Sequence, residues 1–291
     1  MHAIEYQAPK TLEQALSILA ANGEKARALC GGTDILIQMR AGVRQPAELI
    51  DVKLIPELNR IVFDEHTGLR LGAAVPCSEI YESPIMRKVY PGLTEAAHLI
   101  GSVQIQSRAS VGGNLCNGSP AADTTPSLIA LAATAVVAGP KGTRRVPVEK
   151  FVTSPGRTVL EPNELLVELD IPVPKPHSSD AYQRFIPRNE MDIAVVGVGA
   201  SVTLENDRCV ACRIALAAVA PTPVFANKAG ESLVGTNLDD KAIDRASKLA
   251  IEASSPIDDM RGPAEFRKHL VGVLTRRVLG SAIERARTAV K

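Results

Sequence analysis

Two glycine-centred runs constrain this chain more than any other feature, Gly31-Gly32-Thr33-Asp34 and Ser110-Val111-Gly112-Gly113-Asn114. Each run follows an apolar or β-branched stretch and is followed by small polar residues. Because glycine has no Cβ, the peptide N–H groups of such a loop can approach an anion closely, and concave arrays of N–H groups bind phosphate. Two such loops on distant segments predict a diphosphate held from both sides, and therefore a dinucleotide-like cofactor.

Neither run matches the two best-known phosphate-binding patterns. The Rossmann pattern G-x-G-x-x-G and the Walker A pattern with its Lys-Ser/Thr end are both absent from these runs. This disfavours a nicotinamide-binding domain and a nucleoside triphosphatase. A single Gly-Gly pair is common in ordinary turns, so either run alone indicates little. Nearby Asp, Asn, Ser and Thr side chains, which can bind ribityl or ribose hydroxyls, favour the binding interpretation for the two together.

The size and charge of the chain describe an ordinary globular protein. It has 291 residues, of which 45% are hydrophobic and 22% charged, and this length suits one large domain or two to three small ones. A net charge of +1 gives no electrostatic reason to expect nucleic acid or an anionic membrane as partner. No apolar run is long enough for a membrane span, and the first residues lack the features of a signal peptide. We therefore expect a cytoplasmic protein.

The five cysteines, at positions 30, 77, 116, 209 and 212, form an odd and irregular set. In a reducing compartment such cysteines are most often small buried hydrophobic residues. Cys209 and Cys212 have the spacing of a metal knuckle, but a zinc site needs further ligands and an iron–sulfur cluster needs four thiolates. The sequence therefore predicts no metal site, and a hairpin strand for this segment.

Hydrophobic periodicity and turn residues divide the chain into three parts. Residues 1–54 are predicted to form a small α/β unit. Its first helix starts at the Thr11–Gln14 capping box and ends at Gly23, and a strand follows at 26–30. A second helix, 33–41, is predicted to turn Ile35, Leu36 and Met39 inward, and a second strand covers 48–52. Residues 55–176 mix short elements: a strand 69–75, a helix 93–101, the second glycine run continuing as a loop to Asp123, a helix 127–133, and strands 134–138 and 165–171.

The third part, residues 177–291, follows a proline-rich linker at 172–180. Prolines at alternate positions favour extended backbone and exclude regular structure there. Two long apolar runs, 193–204 and 209–219, surround Glu205-Asn206-Asp207-Arg208 and predict a hairpin. Two helices, 239–254 and about 263–290, are predicted to end the chain.

At this point the chain resembles the FAD-binding medium subunits of molybdenum hydroxylases, the group of carbon monoxide dehydrogenase and xanthine dehydrogenase. The resemblance covers essentially the whole chain, and the order and spacing of its segments are more specific than any one of them. Those segments are Leu29-Cys30-Gly31-Gly32-Thr33-Asp34, the run Ser110–Asp123, Glu164-Leu165-Leu166, Arg188-Asn189-Glu190-Met191-Asp192-Ile193-Ala194, and Ala220-Pro221-Thr222-Pro223.

The resemblance implies an α+β fold: two FAD-binding subdomains of the vanillyl-alcohol-oxidase type, followed by a C-terminal α+β domain. It implies FAD as the cofactor and no catalytic acid–base residue, because the flavin carries the chemistry. The implied cofactor-binding residues are Leu29, Cys30, Gly31, Gly32, Thr33, Asp34, Ile35, Ser110, Gly112, Gly113, Asn114, Asn117, Asp123, Leu166, Arg184 and Ile193.

By resemblance, residues 29–35 and 110–114 line the pyrophosphate side, and Asp123 accepts a ribityl hydroxyl. For Asp34 and Asp123, helix capping is the alternative role. Leu166 and Ile193 match positions near the isoalloxazine, where one relative has an aromatic in place of Ile193. Arg184 and Arg188 match basic positions near the flavin, with solvated strand charges as the alternative.

In the family that the chain resembles, separate subunits hold the different cofactors. The resemblance therefore implies two partners, a small iron–sulfur subunit and a large molybdopterin subunit, assembled with this chain as a dimer of heterotrimers. The chain itself has no four-cysteine cluster pattern. The implied function is to accept electrons from the iron–sulfur subunit and pass them through FAD to an external acceptor. Two alternatives stay open: a self-contained FAD-dependent reductase with its own substrate, for which no proton-donor motif is evident, and a non-enzymatic scaffold.

Overall fold

The structure is a computed structural model, and it describes residues 3–289. Helices and strands alternate irregularly along the chain. They are β1 (Glu5–Gln7), α1 (Leu12–Asn22), β2 (Ala26–Leu29), α2 (Ile35–Arg40), β3 (Glu48–Asp51), β4 (Ile61–Asp64), β5 (Gly68–Gly72), α3 (Cys77–Glu82), α4 (Pro84–Val89), α5 (Pro91–His98), α6 (Val103–Gln106), α7 (Val111–Asn117), α8 (Thr124–Ala130), β6 (Thr134–Gly139), β7 (Gly142–Pro147), β8 (Val152–Ser154), β9 (Arg157–Thr158), β10 (Leu165–Ile171), β11 (Ser178–Phe185), β12 (Val196–Glu205), β13 (Arg208–Ala217), β14 (Val224–Phe225), α9 (Asn227–Glu231), α10 (Asp240–Ala253) and α11 (Ala264–Thr288).

The N-terminal unit is a three-stranded parallel sheet in the order β1-β3-β2. Helix α1 starts as its capping residues predict, because the Thr11 hydroxyl accepts a hydrogen bond of 3.2 Å from the N–H of Gln14. The Gln14 side chain reaches back to the N–H of Lys10 at 3.1 Å. The helix ends at Gly23, whose φ of 52° suits glycine. These observations confirm the predicted start and end of helix α1.

The second region is built on a five-stranded antiparallel sheet in the order β4-β5-β10-β6-β7. Strand β10, predicted over 165–171, lies at its centre and is almost entirely buried. The short helices α3 to α8 pack with this sheet around one core that includes Leu71, Leu93 and Leu169. This arrangement leaves the turn before β10 and the hairpin β8-β9 near the N-terminal unit.

The C-terminal region is an antiparallel sheet in the order β11-β12-β13-β14, with α10 and α11 packed on it. The hairpin β12-β13 turns at Asn206 and Asp207, whose φ values of 49° and 58° match a type I′ turn. This confirms the predicted hairpin. The predicted helices at 239–254 and 263–290 are α10 and α11, although Val290 lies outside the described residues.

Three local predictions are wrong. The linker predicted over 172–180 ends before Ser178, where β11 begins to pair with β12. Residues 111–117 are helical rather than a loop: Ser110 caps the helix by accepting from the N–H of Gly113 at 3.0 Å, and burial of Leu115 outweighs the poor helix propensity of two glycines. In α2 Met39 is buried and Ile35 packs against the same core, as predicted, whereas Leu36 is 51% exposed. The helix is too short to cover the small core of Leu29, Met39 and Leu49 with more than one turn.

Candidate cofactor site

A cleft of about 980 Å³ lies between the N-terminal unit and the second region. Its volume is near the upper end of the range for small-molecule and cofactor sites, roughly 300–1,000 Å³. Both glycine runs line it, as do the β8-β9 hairpin and the start of β10. Twelve of the sixteen predicted cofactor-binding residues are in this lining: Cys30, Gly31, Gly32, Thr33, Asp34, Ile35, Ser110, Gly112, Gly113, Asn114, Asn117 and Leu166.

The glycines of the two runs serve two purposes. A Cβ on Gly31 would lie 2.2 Å from the carbonyl oxygen of Arg108, and one on Gly112 would lie 2.4 Å from that of Ala73. These two glycines therefore allow the backbone segments to pack together. Gly32 has a φ of 80°, which favours glycine for conformational reasons. The sequence interpretation assigned all of them to phosphate; the structure gives Gly31 and Gly112 a packing reason.

The first run presents backbone donors to the cleft. Within residues 3–289, the N–H groups of Gly32, Thr33 and Asp34 donate no hydrogen bond to another residue. They precede α2, so the positive end of its dipole lies beside them. The Asp34 side chain makes no capping hydrogen bond, and burial raises the pKa of its carboxyl. Unsatisfied N–H groups at the edge of a cleft fit an anionic group such as a diphosphate.

The second run presents an oriented amide. The Oδ1 of Asn114 accepts hydrogen bonds from the hydroxyl of Thr124 at 2.7 Å and from its N–H at 3.2 Å. Because the oxygen is engaged, the amide nitrogen of Asn114 is left as the donor of a residue that lines the cleft. Thr124 is fully buried, and the sequence analysis did not identify it. Only the fold brings it to Asn114.

Hydrogen bonds across the cleft join three of its sides. Gln38 on α2 donates to the Oδ1 of Asn117 at 2.9 Å, and Arg44 donates from Nε to the Oε1 of Gln38 at 2.9 Å. Arg44 also donates to the carbonyl of Gly156 in the β8-β9 hairpin at 3.2 Å. The sequence analysis missed Gln38 and Arg44, because neither belongs to a glycine run and both act over long sequence separations.

The cysteines beside the cleft are poor nucleophiles. The Sγ of Cys30 lies 3.2 Å from the Oγ of Ser110, and Lys53 donates to the Cys30 carbonyl at 3.0 Å. Burial raises the pKa of the Cys30 thiol, and it raises the pKa of Cys116 to about 12. Both thiols are therefore protonated near neutral pH. This agrees with the absence of a predicted redox role for them.

Asp123 and Arg184 lie outside the cleft lining and bind each other. Arg184 donates to Asp123 Oδ2 at 2.6 Å, and the Tyr182 hydroxyl donates to Oδ1 at 2.8 Å. Burial raises the pKa of Asp123 to about 6, against the opposing effect of Arg184. Asp123 makes no helix-capping hydrogen bond, so the capping alternative is wrong. Its two oxygens are engaged by the C-terminal region, and a ribityl hydroxyl would have to share one of them.

The two remaining predicted residues are also outside the lining. Leu29 is buried beneath the first loop in a small core with Met39 and Leu49. Ile193 is 51% exposed, in the segment before β12. In the same segment Arg188 makes an exposed ion pair with Asp192 at 3.3 Å. Contact of these residues with a cofactor stays a prediction.

Within residues 3–289, no three or more His, Cys, Asp or Glu side chains are grouped so as to hold a metal ion. Cys209 and Cys212 lie on β13, in the predicted hairpin strand. No helix in that range combines the length and apolarity that crossing a membrane requires.

Two family models together cover nearly the whole chain. Residues 2–174 match the FAD binding domain in molybdopterin dehydrogenase, and residues 181–282 match the CO dehydrogenase flavoprotein C-terminal domain. The chain belongs to the FAD-binding subunits of the molybdopterin dehydrogenases. Its resemblance to this family and its α+β fold class are thereby confirmed, and its cofactor is FAD.

Known members of the family match this chain over nearly its whole length. The chain is 34% identical to the xanthine dehydrogenase FAD-binding subunit of Escherichia coli O157:H7, over 97% of this chain and 96% of that one. It is 34% identical to the carbon monoxide dehydrogenase medium chain of Afipia carboxidovorans, over 99% and 98%. A solved carbon monoxide dehydrogenase of Hydrogenophaga pseudoflava superposes with a TM-score of 0.94 at 33% identity, over 98% of both chains.

The residues of the cleft fit FAD. The free N–H groups of Gly32, Thr33 and Asp34 suit its diphosphate, and the Asn114 amide adds a side-chain donor. Aliphatic side chains, Leu160, Leu165 and Leu166 among them, line another part of the cleft. Since only 3% of the residues are aromatic, aliphatic contacts of this kind are what the chain offers to a planar ring.

Proposed function

We propose that this chain is the electron-transfer flavoprotein subunit of a molybdenum hydroxylase. In this function it accepts electrons from an iron–sulfur subunit and passes them through FAD to an external acceptor. The observation that carries the proposal is the cleft in which both glycine runs meet, within a chain that matches FAD subunits over 96% or more of its length. FAD, when bound, supplies exchange of electrons in single or paired steps.

The protein contributes position and environment rather than acid–base groups. The N–H groups of the first loop hold the diphosphate, and the Asn114 amide, oriented by Thr124, adds a directed donor. Leu160, Leu165 and Leu166 exclude water from the part of the cleft that they line. Leu166 and Ile193 are proposed to lie near the isoalloxazine, as the family resemblance implies.

The proposed partners are a small iron–sulfur subunit and a large molybdopterin subunit, in a dimer of heterotrimers. The Afipia relative is named a medium chain, and the solved Hydrogenophaga enzyme is a form that lacks the Mo-pyranopterin moiety of the molybdenum cofactor. These names support a chain that works inside a multisubunit dehydrogenase. A cytoplasmic location is proposed as well, since all five cysteines are free thiols, as expected in a reducing compartment.

The test is a visible absorption spectrum of the chain purified alone and of the chain co-expressed with its genomic neighbours. We expect a flavin spectrum from the chain after addition of FAD, and iron–sulfur and molybdenum signals only in the co-purified complex. The chain alone should not oxidise typical hydroxylase substrates.

Two results would contradict the proposal in different ways. Turnover of such a substrate by the chain alone, without added subunits, would favour the self-contained reductase. Absence of flavin from both preparations, even with added FAD, would mean that the cleft has been misinterpreted and would favour the scaffold.

A further inference from the structure

Three arginines that no motif identifies, Arg27, Arg44 and Arg157, line the cofactor cleft, and the first two act on each other. Arg27 is on β2, and its Nη1 donates to the carbonyls of Glu24 at 3.2 Å and Ala26 at 2.9 Å. Arg44 follows α2 and is held by Gln38 and Gly156, as described above. Both guanidinium groups are half-buried and are positioned by neutral acceptors. Their orientation is therefore fixed while their charge is not neutralised.

The two positive charges act on each other. Among residues 3–289, neither Arg27 nor Arg44 has a carboxylate oxygen within the 4.0 Å that defines an ion pair. Burial and repulsion from Arg44 lower the pKa of Arg27, and the effect of Arg44 exceeds the opposing effect of Glu24. Like charges held together in a cleft are unfavourable unless an anion binds between or beside them.

In the described part of the chain, none of the acidic residues of the lining, Glu24, Asp34, Glu161 and Glu164, forms an ion pair with Arg27 or Arg44. Glu164 is committed to Arg144, which donates to both of its carboxylate oxygens at 2.7 Å and 2.6 Å. Burial raises the pKa of the Asp34 carboxyl. Glu24 is exposed and only partly offsets Arg44. Arg27 and Arg44 are therefore positive charges without an ion-pair partner among residues 3–289, in the cleft that the first glycine loop also lines.

We propose that Arg27 and Arg44 bind the diphosphate of FAD together with the backbone N–H groups of the first loop. Two guanidinium groups match the two negative charges of the diphosphate, and arginine forms paired, charge-assisted hydrogen bonds with phosphate oxygens. The pair selects ligands that carry the diphosphate. This inference rests on the FAD site of the proposed function and adds two side chains that bind the negatively charged diphosphate of the cofactor.

The test compares Arg27→Gln and Arg44→Gln with Arg40→Gln in the full chain freed of flavin. Arg40 ends α2, is exposed and does not line the cleft, so its substitution removes the same charge nearby. Dissociation constants are measured for FAD, ADP, adenosine and riboflavin at two salt concentrations. Arg27→Gln and Arg44→Gln should each weaken FAD and ADP by about 10- to 100-fold, with a smaller salt dependence, and leave adenosine and riboflavin unchanged.

Equal FAD and ADP affinities in the wild type and in both glutamine variants would overturn the proposal. So would a loss for adenosine as large as that for ADP, because the arginines would then contact the nucleoside. Arg27→Lys, which keeps the charge, should retain FAD binding within a few-fold and shows whether a glutamine variant has merely misfolded. If the wild type binds ADP through these arginines but takes up no FAD in any preparation, the proposed function fails while the diphosphate site stands.

Discussion

At the scale of single residues, glycine carries two different requirements in this chain. Gly31 lies where the backbone of the first loop meets the carbonyl of Arg108, which is 77 positions further along the chain. Gly280, on the exposed side of α11, has no atom within 4 Å of a Cβ built on it. The same substitution therefore has opposite expected effects at the two positions.

We expect Gly31→Ala to destabilise the folded chain by about 1–3 kcal/mol, because an added methyl group cannot be accommodated against a backbone carbonyl. It should also weaken FAD binding by displacing the first loop. Gly280→Ala should stabilise the chain by roughly 0.5–1 kcal/mol, since alanine is the better helix residue. Urea denaturation measures both. A Gly31→Ala variant as stable as the wild type would show that the two loops are not packed as described.

At the scale of elements, helix α5 connects the FAD-binding region to the C-terminal sheet. The buried carboxylate of Asp180, on β11, accepts a hydrogen bond of 3.1 Å from the N–H of Leu93. Gly92 is required there, because a Cβ would lie 2.6 Å from the Asp180 carboxylate. Glu95 on the same helix pairs with Arg285 of α11. Burial and Glu95 raise the pKa of Asp180, to about 7, while the N–H groups of the helix and Arg285 oppose the rise.

The raised pKa of Asp180 predicts that the stability of the folded chain depends on pH. The pKa of Asp180 is about 7 in the folded chain and about 3.9 in the unfolded chain. The folded state therefore binds the proton more tightly, and the contribution of Asp180 to stability falls as the pH rises from about 4 to about 7. Asp180→Asn keeps an acceptor for the Leu93 N–H and removes the charge. We expect it to be more stable than the wild type at pH 8, by on the order of 1–3 kcal/mol, and nearly equal to it at pH 4.

Urea denaturation of both proteins at pH 4, 6 and 8 measures this difference. Subtracting one curve from the other removes the titration of groups that the two proteins share, Asp123 among them. A constant difference at all three pH values would contradict the prediction, because the substitution would then act through packing alone.

At the scale of the whole molecule, helix α8 joins the two major sheets. Every one of its residues is buried. Ser201 on β12 donates to the carbonyl of Ala130 at 2.7 Å, and Gly199 lies against the backbone of Pro126, where a Cβ would be 2.8 Å from the carbonyl carbon. The ion pair of Asp123 with Arg184 is buried in the same contact. Because the residues of this contact are buried, it leaves little freedom for independent domain motion.

We therefore expect the chain to unfold in one cooperative transition, although it has several sheets. In differential scanning calorimetry the calorimetric and van't Hoff enthalpies should agree. FAD at about 100 times its dissociation constant should stabilise the folded state by about 2.7 kcal/mol and shift that transition as one peak. Two resolved transitions, of which FAD moves only the first, would show that the C-terminal region folds independently.

Much of the fold could be predicted because its signals are local. The Thr11 cap, the stop at Gly23 and the turn at Asn206 and Asp207 each depend on residues within a few positions, and the structure has all of them. The two glycine runs, taken with the order of the family segments, indicated FAD. Twelve of the predicted site residues line one cleft, because the backbone of both glycine runs forms part of its wall.

What the sequence alone did not determine are the contacts between distant segments. Residues 111–117 became a helix through burial, and Arg44 reached Gly156 across 112 positions. Asp123 was engaged by Tyr182 across 59 positions, so its carboxylate faces the C-terminal sheet. Local preferences identify the loops that can bind a diphosphate. Only the packing of whole elements decides which charged side chains stand beside those loops, because that depends on the free energy of burying the core rather than on neighbours in the chain.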